Sequence, residues 1–238
     1  MSGRRLANRI KQFFAQAFSA GICQACGCEI DHTQSFCAHC DRRLTRVDNP
    51  CRACALPCPD KKEICPRCLL NPPRWQSMTA PFEYNGLLRD YLIQFKFNEA
   101  SHVSRSLCNH SIEYFNAQGP RPEVLMPVPL HRERLLDRGY NQALEIARQW
   151  STQLDIPVDH NALQRNRATS SQSGLSAAER EKNILKAFHY QPKQTYRHVA
   201  VVDDIVTTGS TVNEITKVLH RGGVEFVEVW ALARVVKD

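Results

Sequence analysis

The run Val201-Val202-Asp203-Asp204-Ile205-Val206-Thr207-Thr208-Gly209-Ser210-Thr211 restricts the folds open to this chain more than any other stretch. Residues 198–202 read as a short buried strand. Val212, Ile215, Val218 and Leu219 then recur at helical spacing until Gly222-Gly223 stops the helix. The run therefore occupies a strand, a loop and a helix turn. A helix start leaves backbone N–H groups without intrahelical acceptors, and its positive dipole end points the same way. Thr207, Thr208, Ser210 and Thr211 add hydroxyls there, and Gly209 lets an anion approach the backbone closely, so the turn reads as a cup for phosphate. Asp203 and Asp204 precede it as acceptor-only carboxylates at the strand's carboxyl end, suited to sugar hydroxyls or, through water, to a divalent metal. A cup preceded by two acids fits a sugar phosphate. The plainer reading is an ordinary strand and helix joined by an acidic turn.

These residues resemble the phosphoribosyl pyrophosphate (PRPP) signature of type I phosphoribosyltransferases. The resemblance implies that Asp203 and Asp204 hold the ribose, with a catalytic role if the chain turns over, and that Thr207, Thr208, Gly209, Ser210 and Thr211 hold the 5′-phosphate. It also implies Mg2+ bound together with PRPP.

A second constraint lies near the amino terminus. Of eleven cysteines, ten fall between Cys23 and Cys68, so they belong to a local module and not to a framework for the whole chain. Cys23-x2-Cys26 and Cys37-x2-Cys40 recur as Cys51-x2-Cys54 and Cys65-x2-Cys68, each displaced by 28 residues. A duplicated four-thiol set is what two structural Zn2+ ions need; disulfides are the alternative, disfavoured where no convincing secretion signal precedes them. The repeat predicts sequential ligation, with an interleaved arrangement still open. Four thiolates fill a tetrahedral ion and leave no open position, so such sites are structural. Cys28, Cys58 and Cys108 are left over as buried or idle thiols. Residues 21–73 carry too few apolar side chains for a core of their own, and metal supplies that stability.

Charge adds little. The formal sum is +7, but eight thiolates on two Zn2+ ions lower it to +3, a weak argument for nucleic acid by itself. Within residues 1–20, Arg4, Arg5, Arg9 and Lys11 accompany Leu6, Ile10, Phe13, Phe14, Ala17 and Phe18 at helical spacing, which predicts a basic amphipathic helix. It packs on its own protein or meets an acidic partner or the inner face of a membrane. Gln12 and Gln16 interrupt any signal-like apolar core, and apolar runs such as 228–236 are far too short to span a bilayer, so a cytoplasmic protein without a transmembrane segment is expected.

Asn71-Pro72-Pro73-Arg74 marks the next boundary, giving an expected division into helix 1–20, double cysteine module 21–73 and a larger domain 74–238. In that domain we expect a strand over 78–84, helices over 86–97 and 100–115, and a buried strand over 123–129 that empties into a basic loop, 131–139. An amphipathic helix from Tyr140 to Leu154 follows, then a polar ribbon or lid over 161–176, a helix-like segment over 177–186, a short strand over 187–190 and a final strand over 227–234. Strands alternating with helices predict an α/β fold, with a mostly parallel sheet flanked by helices and the ligand at the strands' carboxyl ends.

Taken together, the cysteine pairs, Met126-Pro127-Val128-Pro129-Leu130-His131, Arg138-Gly139-Tyr140-Asn141-Gln142, Gln172-Ser173-Gly174-Leu175 with Arg180 and Asn183, and the motif at 201–211 resemble the ComF/GntX family of phosphoribosyltransferase-like competence proteins. The resemblance covers nearly everything after residue 20. It implies a part in natural transformation and DNA uptake, handling incoming single-stranded DNA beside proteins of the uptake machinery, or in using DNA as a nutrient. It places Leu130 and His131 in the pyrophosphate-loop turn with Arg134 and Arg138 behind them, and Arg165 and Arg167 in a flexible loop that closes over the leaving group. If the chain catalyses, the chemistry is displacement of pyrophosphate from C1 of PRPP by an acceptor, and no base-reading pattern identifies that acceptor. Two functions stay open: PRPP binding coupled to single-stranded DNA, with Trp75, Tyr84 or Tyr140 as stacking platforms if exposed, and an active phosphoribosyltransferase.

Overall fold

A computed structural model describes residues 20–31, 34–58, 63–97, 101–115, 120–166 and 187–236. Residues 1–19 of the amphipathic helix expected over 1–20, and the segment 167–186 with Arg167, Gln172, Gly174, Arg180 and Asn183, lie outside the described residues, while Ala20 is in a strand. The chain forms two compact units, Met1–Leu44 and Thr45–Asp238, so the division falls between the two cysteine sets.

The smaller unit contains an antiparallel hairpin of β1 (Ala20–Ile22) and β2 (Glu29–Asp31), followed by the single-turn helix α1 (Ala38–Asp41). Gly27 takes a left-handed φ of 73° between the strands, the conformation that glycine adopts at least cost. Cys37 caps α1, its sulfur accepting from the Cys40 N–H.

The larger unit begins with the second cysteine set and the short helix α2 (Pro66–Leu70), then builds one sheet. Its strands are β3 (Ser77–Thr79), β4 (Phe82–Glu83), β5 (Val124–Pro127), β8 (His198–Val206) and β9 (Phe226–Arg234). They lie in the order β3-β9-β8-β5, with β4 also beside β9, and every pairing is parallel. The expected strand over 78–84 is thus two, because Pro81 has no N–H to give to a ladder. All four residues of β5 and the first five of β8 are buried, the unbroken apolar pattern of parallel strands covered on both faces.

Helices α3 (Gly86–Phe97), α4 (Ser101–Ser111), α5 (Arg132–Arg138), α6 (Gln142–Leu154) and α7 (Ser210–Arg221) complete the unit. The helix expected over 100–115 ends early, in a 3-10 turn at Ile112–Phe115. From α6, Ile146, Ala147 and Trp150 are buried, and the Trp150 ring meets Phe115 at 4.2 Å between centroids. From α7, Val212, Ile215 and Leu219 face the core, as the spacing predicts. Beyond α6, Val158 bridges to Leu125 in parallel, and β6 (Leu163–Arg165), at the start of the expected ribbon, pairs antiparallel with β7 (Phe188–Tyr190), the short strand expected over 187–190. No helix among the described residues is long and apolar enough to cross a membrane.

The basic stretch 131–139 is helical rather than a loop. His131 caps α5 by accepting the Glu133 N–H on Nδ1, and Gly139 closes it with a φ of 79°. Leu135 and Leu136 are both exposed, so α5 has no buried apolar stripe from which periodicity could announce it.

Candidate functional site

The site exists because β5 ends before its neighbour. Pairing between β5 and β8 stops at Pro127 and Val202, and Pro127 and Pro129 lead the chain away, while β8 continues through Asp203 and Asp204 to Val206 beside β9. The edge of β8 is therefore open where the two acids stand, a crevice at the carboxyl end of a parallel sheet. A cleft of about 340 Å3 occupies it.

One wall of this cleft is the turn after β8, where Thr207, Gly209, Ser210 and Thr211 lead into α7. Gly209 caps the helix with a φ of 84° and offers no side-chain oxygen of its own to the first helical N–H groups. Thr208 shapes the turn from within: its Oγ1 lies 2.8 Å from Ser210 Oγ and accepts the Ser210 N–H at 3.3 Å. On the floor, Asp203 Oδ1 accepts the Asp204 N–H at 3.0 Å and Asp204 Oδ1 accepts the Ile205 N–H at 2.9 Å, which steadies both half-buried carboxylates.

The opposite wall is cationic. Leu130 comes from the turn before α5, Arg134 and Arg138 from α5 itself, and Arg165 from β6. Burial draws the Arg165 guanidinium down to about 10; Arg134 adds to the effect and Asp203 partly offsets it. Arg134 is lowered by burial and then by Arg138. Three guanidiniums crowded together in this way favour an anion between them. Gln142, at the start of α6, accepts from Arg138 Nη1 at 3.3 Å, while its buried Nε2 has no partner among the described residues, a donor left for a ligand. His131, expected in the pyrophosphate turn, uses Nδ1 for the α5 cap. Tyr84 reaches the cleft edge, whereas Trp75 is only 8% exposed and offers no platform to a base.

The cysteines assemble as two sequential sets. The sulfurs of Cys23, Cys26, Cys37 and Cys40 lie within 4.8 Å of one another, and so do those of Cys51, Cys54, Cys65 and Cys68. The internal geometry repeats with the 28-residue displacement: the Cys37 N–H reaches Cys23 Sγ at 3.3 Å and the Cys65 N–H reaches Cys51 Sγ at 3.2 Å. Burial pushes the Cys51 thiol up, but N–H groups of Cys65, Ala53 and Cys54 outweigh it and hold it down to about 7. Burial and neighbouring thiols push Cys54 up to about 11 and Cys40 up to about 12. Each set therefore resists full ionisation until a cation joins it, and either set could hold a metal ion. Cys26 in the first set is exposed; all four of the second are buried.

Two residues behind the cleft have roles that the sequence did not disclose: Trp75, expected only as a stacking platform, and Arg234. Trp75 Nε1 donates to the Ala53 carbonyl at 2.6 Å. Arg234 is 4% exposed and donates from Nε to the Cys54 carbonyl at 2.8 Å, and from Nη1 to the carbonyls of Val206, at 2.9 Å, and Thr207. An arginine inside an apolar terminal strand was the available signal, since a buried guanidinium requires partners.

A parallel sheet whose open edge carries paired acids before a glycine turn and helix is the architecture of a phosphoribosyltransferase. The family model of the phosphoribosyl transferase domain matches residues 140–237, from the start of α6 through β9. Relatives extend the likeness over most of the chain. Competence protein F of Haemophilus influenzae is 35% identical over 224 residues, 90% of this chain and 90% of its own. DNA utilization protein YhgH of Escherichia coli K12 is 36% identical over 205 residues, 84% of this chain and 90% of its own. Competence protein ComFC of Streptococcus pneumoniae is 23% identical over 214 residues, 90% of this chain and 87% of its own. The chain belongs to the competence protein F (ComF/GntX) family.

Proposed function

We propose that this protein binds PRPP with Mg2+ in the cleft and works in natural transformation or DNA utilization by handling imported single-stranded DNA. The observation that carries the first part is the meeting, in one cleft, of an acid pair, a glycine-centred helix start and three arginines. Asp203 and Asp204 would take the ribose hydroxyls, residues 207–211 the 5′-phosphate, and Arg134, Arg138 and Arg165 the pyrophosphate, with Gln142 Nε2 as a further donor. Mg2+, when bound, neutralises pyrophosphate charge. The names of the relatives support the second part.

Zn2+ is the ion that four-thiolate sets of this spacing suit, in both units. A cytoplasmic location fits free thiols, and the basic residues of 1–20 suit the inner membrane face or a protein of the uptake machinery. Arg132, Arg134 and Arg138 lie on one short helix, a compact source of phosphate contacts.

Fluorescence anisotropy with labelled single-stranded DNA over a salt series tests the DNA reading. Binding should weaken as salt rises, and Arg132→Ala with Arg138→Ala should reduce the slope by about 0.7 per lost contact. Equal indifference to DNA at low and moderate salt contradicts it. An active transferase is the second reading, favoured by the presence of both acids opposite a cationic leaving-group wall; it requires Mg2+-dependent pyrophosphate release with some acceptor.

A further inference from the structure

Two buried side chains tie the second cysteine set to the turn that forms the phosphate cup. Trp75 holds the Ala53 carbonyl, midway between Cys51 and Cys54, and its Cη2 stands 3.1 Å from the point where a side chain on Gly209 would begin. Arg234 holds the Cys54 carbonyl with one nitrogen and the carbonyls of Val206 and Thr207 with another. The guanidinium is planar and rigid, so it fixes the distance between the cysteine knuckle and the base of the cup. It is also a buried cation. Four thiolates around a divalent ion carry a net charge of about −2, so a metal-loaded set supplies the counter-charge that Arg234 needs.

We propose that Trp75 and Arg234 are positioning residues through which metal occupancy of Cys51, Cys54, Cys65 and Cys68 sets the affinity of residues 206–211 for a phosphate monoester. The inference rests on the phosphate reading of that turn. A metal-loaded set holds the Ala53 and Cys54 carbonyls in place, these hold Trp75 and Arg234, and the two side chains hold Gly209 and the Val206–Thr207 carbonyls. An emptied set releases the chain of contacts from the far end. Linkage makes the effect reciprocal, so a bound phosphate monoester slows metal loss from this set.

The test uses the full-length, metal-loaded protein with Arg234→Lys and the milder Trp75→Phe, each compared with wild type before and after chelation. Amide hydrogen exchange reports the turn directly. Exchange over 206–211 should rise about tenfold or more in both variants and in chelated protein, while 199–202 and 227–231 keep their protection. Calorimetry should show about tenfold weaker binding of ribose 5-phosphate and unchanged binding of inorganic pyrophosphate, which meets the arginine wall instead. Wild-type exchange at the turn in both variants, or equal loss of protection across the sheet, overturns the coupling. Failure of ribose 5-phosphate to bind wild type, with exchange still responding as stated, removes the phosphate reading and leaves the mechanical coupling standing.

Discussion

A Cβ on Gly209 would lie 3.1 Å from Cη2 of Trp75, and Gly209 already sits at a φ of 84°. Both facts disfavour a side chain at the head of α7. Gly209→Ala should therefore cost about 1–2 kcal/mol in backbone strain, with the Trp75 ring displaced as well. Thermal unfolding reads the first effect. Weaker binding of ribose 5-phosphate, by about tenfold, reads the second.

The two cysteine sets predict two metal ions per chain. Elemental analysis after purification under reducing conditions should give two, falling to one for Cys54→Ser or for Cys37→Ser. Cys108→Ser should leave two, since this buried thiol lies in α4 and belongs to neither set.

Gly27 and Ala55 occupy equivalent positions in the two repeats, both with left-handed φ, 73° and 53°. The first has open space where a Cβ would go. Gly27→Ala should therefore be tolerated at a cost of about 1 kcal/mol, with metal content unchanged. A fall in metal content would show that glycine is needed in the first knuckle for more than its backbone freedom.

Acid should weaken the metal-free protein in a defined window. The Cys51 thiol is held below its ordinary 9.0, at about 7, and Cys23 at about 6, so their thiolates contribute stability that is fully present above pH 9. That contribution is lost as pH falls through about 7 and then about 6. Unfolding of reduced, metal-free protein followed from pH 9 to 6 should show stability declining in that order. A flat profile would contradict the assignment of these two thiols as the first to ionise.

The strand and helix around residues 201–211 were legible because an apolar strand and a 3.6-residue apolar repeat are both strong signals. The sequence also carried the sequential cysteine sets through their exact copy at a fixed displacement. What it hid depends on partners far away in the chain. Arg234 and Cys54 are 180 residues apart, and Trp75 and Ala53 are joined through a knuckle whose shape the cysteines determine. Helix α5 was hidden for a local reason, since its cap is a histidine and its two leucines face solvent. Pro81 lies inside the single strand expected over 78–84, and only the pairing of β3 and β4 with the same strand, β9, shows that the chain breaks there and resumes in the sheet.

Calorimetric titration of the metal-loaded protein with PRPP and Mg2+, against the double variant Asp203→Ala, Asp204→Ala, shows whether the cleft is a working sugar-phosphate site. Wild type should show saturable binding that is lost in the variant, while the variant's thermal unfolding stays close to wild type, because both acids are only half buried at the open edge of β8. No binding by wild type, or equal binding by the variant, would contradict it.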